Sequence, residues 1–379
     1  MIKRTLQELC LNITEGKHGD CENEENSGYY FISCKDIFDG QINYKNARQI
    51  TKADFEETHK RTMLEVDDIL LTNSGTIGRM AFVTDREATT KTTFQKSVAI
   101  IKPDKQKVLP RYLYYQLQNC VPQFINSSNG SAQKNLLLST MRTFQIEIEE
   151  NCEKQEKIAN TLSAYDDLIE NNQKQIKLLE EAAQRLYKEW FVDLRFPGHE
   201  NTKIVDGVPE GWSRGLLKEL ISVNYGKDHK KAPDDGNIPV YGSGGLMRKC
   251  NKSLFSGEAV LIPRKGSLNN IMYVDETFWT VDTMFYATMK QPHTAIFVYF
   301  FVKAFDMYSM NIGAAVPSMT TKILDAMDVV IPDKETLEKF DKLTKTYFNK
   351  IKTLQGQNER LKIARDLLLP KLMSGEVEV

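Results

Sequence analysis

The sequence has few of the residues from which metal sites and disulfide frameworks are built. Its 379 residues include six cysteines and five histidines, and these form neither a C-x-x-C pair nor a Cys/His cluster with zinc-ligand spacing. Scattered cysteines of this kind are typical of reduced thiols in the cytosol. We therefore expect a cytoplasmic protein that binds no metal of its own.

Long apolar runs and catalytic motifs are also missing. The longest apolar run, residues 295–302, is much shorter than the roughly 20 residues that cross a bilayer. The N-terminus lacks the apolar segment of a signal peptide, so no membrane attachment is expected. No phosphate loop, no H-E-x-x-H and no complete G-x-G-x-x-G in a strand-turn-helix setting occurs. These absences favour a binding protein over an enzyme.

The overall charge points to no particular partner. There are 50 basic and 51 acidic side chains, for a formal net charge of −1. Nucleic-acid binders are often basic overall, so any charge that binds nucleic acid here must be local. The length and the 41% apolar content are sufficient for two or three domains with cores of their own.

What the sequence does contain is an internal repeat. LLTNSGTIGRMAFV from Leu70 matches LIPRKGSLNNIMYV from Leu261, and GSAQKNLLLSTMRTFQIEIEE from Gly130 matches GAAVPSMTTKILDAMDVVIPD from Gly313. The first pair predicts a hairpin in each copy, and the second predicts a short helix that leads into a strand. Only two copies of such a long unit are present, which predicts two related β-rich domains rather than a solenoid.

Each copy ends in a long polar segment with apolar residues at heptad spacing. The first seam runs from Ile158 to Trp190 without Pro or Gly, and the second runs from Phe340 to Leu372. Heptad seams of this length predict two long helices that pack on each other as a coiled coil. The alternative, two amphipathic helices that lie on separate cores, stays open.

The predicted fold class is α+β, with two repeated β-rich domains separated by two long helices packed as an antiparallel coiled coil. In that pairing the polar seam residues Asn172 and Asn358 would face each other and fix the register. The predicted boundaries are a first domain at 1–150, a central helix at 151–192, a linker at 193–210, a second domain at 211–332 and a C-terminal helix at 333–379.

The matching turns and the matching stretches TEGKHG and NYGKDH carry side chains that suit nucleic acids. Arg pairs with guanine and Asn with adenine, whereas Lys and hydroxyl groups can hold phosphates. Solvated turn residues would look the same, but two equivalent loops on two related domains favour bipartite recognition. The candidate DNA-binding residues are Lys17, Asn73, Ser74, Thr76 and Arg79 in the first copy, and Lys227, Lys230, Lys231, Arg264, Lys265, Ser267, Asn269 and Asn270 in the second.

Several stretches resemble one known family. EAAQRLYKEWFVDLRFPG from Glu181, VPEGW from Val208, IPVYGSGG from Ile238 and LLLPKLMSGEVEV from Leu367 are similar to the specificity subunits of type I restriction-modification systems. The resemblance covers essentially the whole chain. It implies that the β-rich domains are two target-recognition domains, each reading one half of a split site on double-stranded DNA. The helices would serve as spacer and as docking surface.

The resemblance also implies partners that perform the chemistry. This chain would have no catalysis and no cofactor of its own, and would direct two modification (methyltransferase) subunits that use S-adenosylmethionine. Restriction (endonuclease) subunits would use ATP and Mg. Two other hypotheses stay open. One is a fragment of a fused restriction-methylation enzyme, which needs a signature such as N-P-P-Y that is absent here; the other is a coiled-coil adaptor that binds protein.

Overall fold

The structure is a computed structural model that describes residues 1–128, 134–310 and 318–379, except for the side chain of Lys231. Its contacts divide the chain into two compact units. Unit 1 consists of Met1–Asn171 together with Asn358–Val379, and unit 2 consists of Asn172–Gln357. The division differs from the sequence-based boundaries, because each unit combines one β-rich domain with a part of each long helix.

The β-rich domain of unit 1 is built from short elements. The strands are β1 (Ile2–Thr5), β2 (Cys10–Glu15), β3 (Tyr30–Ile32), β4 (Ile37–Phe38), β5 (Gln41–Ile42), β6 (Arg48–Gln49), β7 (Ile69–Thr72), β8 (Met80–Phe82), β9 (Thr92–Phe94), β10 (Val98–Pro103) and β11 (Gln145–Ile148), and the helices are α1 (Lys52–Thr62), α2 (Pro110–Asn119), α3 (Val121–Asn126) and α4 (Leu138–Thr143). The four-stranded sheet has the strand order β2, β10, β7, β8, and the first and last strands, β1 and β11, pair with each other antiparallel.

The long helix α5 (Cys152–Tyr187) precedes the second β-rich domain, and α8 (Lys334–Ser374) follows it. The elements of this domain are β12 (Ile204–Val205), β13 (Val208–Pro209), β14 (Ser213–Leu216), β15 (Ile221–Tyr225), β16 (Ile238–Gly242), β17 (Gly245–Cys250), β18 (Phe255–Pro263), β19 (Met272–Thr280), β20 (Met284–Met289), α6 (Ala295–Lys303), α7 (Thr321–Asp325) and β21 (Asp328–Ile331). Its six-stranded sheet has the order β15, β20, β18, β19, β16, β17, and β14 pairs antiparallel with β21.

The two domains repeat the same framework, which confirms the predicted duplication. The order β2, β10, β7, β8 in unit 1 corresponds to β15, β20, β18, β19 in unit 2. Individual hydrogen bonds also recur. The amide of Leu136 donates to the carbonyl of Asn73 at 2.8 Å, and the amide of Met319 donates to the carbonyl of Arg264 at 2.9 Å. The match therefore extends to single backbone contacts.

A pair of equivalent glycines, Gly16 and Gly226, is needed for close backbone packing. A Cβ atom at Gly16 would lie 2.0 Å from the carbonyl oxygen of Phe94, and one at Gly226 would lie 1.9 Å from that of Val281. Both distances are far inside van der Waals contact, and backbone atoms cannot swing away as a flexible side chain can. The matching stretches TEGKHG and NYGKDH, called the Gly-Lys stretches below, therefore need glycine at this position to pack against backbone.

In unit 1, the first part of α5 packs against the end of α8. Leu162 and Leu369 are buried in the same apolar cluster. Asp166, one turn after Leu162, pairs with Arg365, which lies one turn before Leu369. Because the paired residues advance in opposite directions, these two helix segments are antiparallel, as predicted.

In unit 2, the end of α5 packs against the start of α8 through aromatic rings. The ring of Phe340 is fully buried and lies 6.3 Å from that of Tyr187, 5.8 Å from that of Trp190 and 4.8 Å from that of Phe191. Tilted and edge-to-face pairs of this kind each add about 0.5–1.5 kcal/mol beyond the burial of area. Residues Lys188–Val192 form a π-helical turn, so helical backbone continues from α5 through the tryptophan.

The polar seam residues Asn172 and Asn358 are both buried, with exposures of 3% and 6%. Buried amides in an apolar seam are costly unless they are hydrogen-bonded, so they restrict the registers that a helix pair can adopt. The two residues belong to different units, and the pairing between them stays a prediction.

None of the helices in the described parts of the chain is long and apolar enough to cross a membrane. The helix that contains the apolar run noted above, α6, has only nine residues.

Candidate nucleic-acid interface

Turn 1 (residues 73–79) connects β7 to β8 and is closed by Thr72. The hydroxyl of Thr72 donates to the carbonyl of Thr76 and accepts from the amide of Arg79 at 2.9 Å. Thr76 and Arg79 are exposed, and among the described residues the guanidinium of Arg79 makes one hydrogen bond, 3.4 Å long, to the carbonyl of Cys34. Turn 1 thus presents a hydroxyl and a weakly held guanidinium to solvent.

Asn73 lies inside the domain, in contrast to the neighbouring turn residues. It is 2% exposed, and its side-chain amide donates to the carboxylate of Glu15 at 2.9 Å. Its side-chain oxygen has no hydrogen-bond partner among the described residues. Ser74 is half-buried and pairs through its backbone with Asn135. In this arrangement Asn73 positions the start of turn 1 and does not reach the surface.

Lys17 is held in an ion pair, although it was predicted to bind DNA. Its ammonium nitrogen lies 3.3 Å from the carboxylate of Asp54 and 3.1 Å from that of Glu57, both on α1. The hydrogen bond to Glu57 raises the pKa of Lys17. Two carboxylates already neutralise this ammonium group and accept its hydrogen bonds, so its attraction for a phosphate is weak. His18, the next residue, is exposed and lies 2.6 Å from Glu15.

Turn 2 (residues 264–270) connects β18 to β19 at the equivalent position of unit 2. The guanidinium of Arg264 lies 5.5 Å from the centre of the Tyr225 ring, a distance that allows a cation–π interaction. It also donates to the carbonyl of Asp282 at 3.2 Å. Arg264 is partly exposed and Lys265 and Ser267 are exposed, so these three can reach a ligand.

The two asparagines of turn 2 anchor it to its own domain. The amide group of Asn269 donates to Asp306 at 3.0 Å and its oxygen accepts from the backbone of Met307 at 2.8 Å. Asn270 donates to the carbonyl of Ser243 at 2.9 Å. Their side chains fix the shape of turn 2, and this leaves them less free to read bases than their residue type suggested.

The basic stretch GKDHKK of unit 2, residues 226–231, differs from the stretch around Lys17 in the ion pairs of its lysines. Lys227 and Lys230 are exposed, and neither forms an ion pair with any residue that the structure describes. The carbonyl of Lys227 accepts a hydrogen bond from the indole of Trp279 at 3.1 Å, which fixes the backbone from which this lysine extends. The side chain of Lys231 lies outside the described residues.

Two lysines beside turn 1 were missed by sequence reasoning. Lys35 and Lys96 are exposed and have no ion pair within the described ranges. Their loops adjoin, because the amide of Cys34 donates to the hydroxyl of Ser97 at 3.1 Å. Lysines that occur in only one copy of the repeat carry no signal in the pattern that the two copies share.

Metal binding finds no support in the parts of the chain that the structure describes. No group of three or more His, Cys, Asp and Glu side chains there could hold a metal ion. The groups available at the two turns are hydrogen-bond donors and cations, which suit the acceptor atoms of a polyanion.

Comparison with models of known protein families assigns the chain to a family. The model of the type I restriction modification DNA specificity domain matches residues 3–181 and again residues 209–362, which together make up most of the chain. The chain therefore belongs to the family of type I restriction-modification specificity subunits, as its motifs indicated.

Individual relatives agree with this assignment. The chain is 27% identical to the type I restriction enzyme MjaIX specificity subunit of Methanocaldococcus jannaschii, over 92% of this chain and 87% of that protein. It is 23% identical to the HindI specificity subunit of Haemophilus influenzae, over 73% and 80%. The fold resembles the crystal structure of the S subunit from Mycoplasma genitalium with a TM-score of 0.61, 19% identity and coverage of 98% and 95%.

Proposed function

We propose that this specificity subunit reads a split site on double-stranded DNA, one half through each β-rich domain, and directs modification and restriction subunits to it. The observation that carries the proposal is the equivalence of turns 1 and 2. Each turn connects the two strands of the same hairpin in the two copies of the repeated framework. Their exposed side chains differ between the copies. A duplicated framework with different contact residues suits a site made of two different halves.

Within this proposal the predicted residues take different roles. Arg264 has the fork of donors that pairs with guanine, and its place over the Tyr225 ring leaves it partly exposed. Lysines bind phosphates without reading sequence, which suits exposed lysines beside turn 2. The exposed candidates for contact are Thr76, Arg79, Lys227, Lys230, Lys265 and Ser267. Asn73, Ser74 and Asn270 are buried or half-buried, and Asn269 is exposed but hydrogen-bonded to Asp306 and Met307, so we assign these four residues to the shape of the turns.

The chemistry belongs to partner subunits in this proposal. Methyl transfer from S-adenosylmethionine to adenine falls to modification subunits, and the ATP- and Mg-dependent steps fall to restriction subunits. This chain contributes no catalytic residue and binds no cofactor. The family membership supports this division of labour.

The test is DNA binding by the chain in complex with its modification subunits. Mapping of methylated adenines in a host that expresses the complex gives the target, and a labelled duplex carrying that target is then titrated at several salt concentrations. We expect tight binding of the target over scrambled duplex, with an affinity that falls steeply as salt rises, because phosphate contacts release counterions.

The two alternatives predict different results. A protein-binding adaptor would show no duplex binding at any salt concentration. A fragment of a fused enzyme would methylate DNA when the purified chain is incubated with S-adenosylmethionine alone, whereas we expect methylation only when modification subunits are added.

A further inference from the structure

The backbone around the two turns identifies equivalent neighbours. The amide of Asn73, the first residue of turn 1, donates to the carbonyl of Ser97 at 3.1 Å, and the amide of Arg264, the first residue of turn 2, donates to that of Thr283 at 2.8 Å. Ser97 and Thr283 are therefore equivalent, and so are the residues that precede them in the two loops.

The first residue of each turn and the residue that precedes Ser97 or Thr283 differ in charge between the two units. In unit 1 the turn begins with the neutral Asn73 and the adjacent loop contributes Lys96; in unit 2 the turn begins with Arg264 and the adjacent loop contributes Asp282. Each domain thus places one cation at this pair of positions, but on opposite members of the pair. The two positions are neighbours in space, since the guanidinium of Arg264 donates to the carbonyl of Asp282 at 3.2 Å.

Lys96 lies in a setting that could receive an acceptor group. It is exposed and lines a cleft of about 270 Å³ that also includes Glu15, His18, Ser74 and Asn135. The carboxylate of Glu15 already accepts from Asn73 at 2.9 Å and contacts His18 at 2.6 Å, and it forms no ion pair with Lys96. The ammonium group of Lys96 remains available, because no described residue pairs with it.

We propose that Lys96 contacts DNA in the first recognition domain and takes there the role that Arg264 has in the second. Its ligand is a hydrogen-bond acceptor on the duplex, either the O6 and N7 atoms of guanine or a phosphate oxygen. The inference rests on the proposed function and adds a contact that neither turn 1 nor the Gly-Lys stretch supplies.

The first experiment replaces Lys96 in the full chain, in complex with modification subunits. Lys96→Ala should weaken binding of the target duplex roughly 5- to 100-fold, and Lys96→Arg should retain most of the affinity. Lys105→Ala is the matched control, because Lys105 is also exposed but follows the opposite end of β10 and pairs with Asp67. The control should bind as the wild type does.

The kind of ligand follows from a set of duplexes with single changes in the first half-site. If Lys96 reads guanine, Lys96→Ala loses discrimination at one base pair. If Lys96 holds a phosphate, all duplexes lose affinity equally. The salt slope, which is the slope of the logarithm of the binding constant against the logarithm of the salt concentration, then falls in magnitude by about 1. Unchanged affinity and discrimination in Lys96→Ala would overturn the proposal. If the wild-type complex itself does not discriminate, the proposed function fails instead.

A second experiment moves the cation in unit 2 to the position that it has in unit 1. Arg264→Asn should weaken binding of the target, and adding Asp282→Lys should recover a substantial part of the loss, whereas Asp282→Ala in the same background should recover less. Asp282 is exposed, so both substitutions are compatible with the fold. Equal binding by the Lys and Ala versions would contradict the exchange of roles between the two positions.

Discussion

The two β-rich domains share their close backbone packing and differ in the side chains at the start of their turns. Gly16 and Gly226 are each confined by a carbonyl about 2 Å from a hypothetical Cβ. The first positions of turns 1 and 2, by contrast, are occupied by the buried Asn73 and the partly exposed Arg264. A duplicated framework can therefore keep its packing while the residues of its turns change, as the proposed recognition of two different half-sites requires.

A second difference concerns the contact between each domain and its helix segment. In unit 1, Asp166 accepts from the hydroxyl of Tyr115 at 2.6 Å and pairs with Arg365. The position 182 residues later is Phe348, whose ring lies 4.8 Å from that of Tyr273 in unit 2. At this one pair of equivalent positions, the helix contacts its domain through a polar group in unit 1 and through an aromatic ring in unit 2.

The largest expected effect is the loss of the aromatic contact in unit 2. Phe340→Ala should lower the free energy of unfolding of unit 2 by about 3–5 kcal/mol, because it removes a fully buried ring and leaves a cavity. In hydrogen exchange of the variant, the backbone amides of unit 2 should lose protection, whereas those of unit 1 should keep it. Leu343→Ala, on the same helix but 46% exposed, should change stability by less than about 0.5 kcal/mol. Equal loss in both units would show that the contact is not local.

The glycine pair tests the shared framework. Gly16→Ala and Gly226→Ala should each destabilise by about 1–3 kcal/mol, because the added methyl group meets a carbonyl oxygen that cannot move aside. Gly244 has no atom within 4 Å of a hypothetical Cβ, so Gly244→Ala should be tolerated. Thermal denaturation measures all three. If only one of the first two variants is destabilised, the frameworks differ at this point.

The polar contact of unit 1 should have a smaller effect. Asp166 is 21% exposed at its side chain, and Asp166→Asn should cost about 1 kcal/mol, since it weakens hydrogen bonds to a tyrosine and an arginine in a partly solvated place. The neighbouring Asp167 is 69% exposed, and Asp167→Asn should have little effect. A double-mutant cycle with Arg365→Gln measures the coupling, and a coupling of zero would remove this ion pair from the account.

The smallest effect separates the two lysines of the Gly-Lys stretches. Lys227→Ala should reduce the salt slope of duplex binding by about 1 if this lysine holds a phosphate. Lys17→Ala should leave the slope unchanged, because its ammonium group pairs with Asp54 and Glu57. Equal reductions would indicate that Lys17 leaves its carboxylate partners when DNA binds.

The elements of the fold were accessible from the sequence because they depend on local patterns. The hairpins around turns 1 and 2, and the short helices α4 and α7 that lead into strands, follow from alternation and turn residues. The long helices follow from their heptad seams. The roles of turn residues were not accessible, because they depend on distant partners. Asn73 meets a carboxylate 58 residues away and Lys17 meets two that are 37 and 40 residues away.

The central claim is that each domain reads its own half of a split site. The most direct measurement maps methylated adenines in a host that carries the complex with Arg264→Ala in the specificity subunit. We predict that discrimination at one base pair of the second half-site falls by about 1–3 kcal/mol and that the first half-site stays as in the wild type. A motif that is unchanged, or one that changes in the first half, would contradict the account.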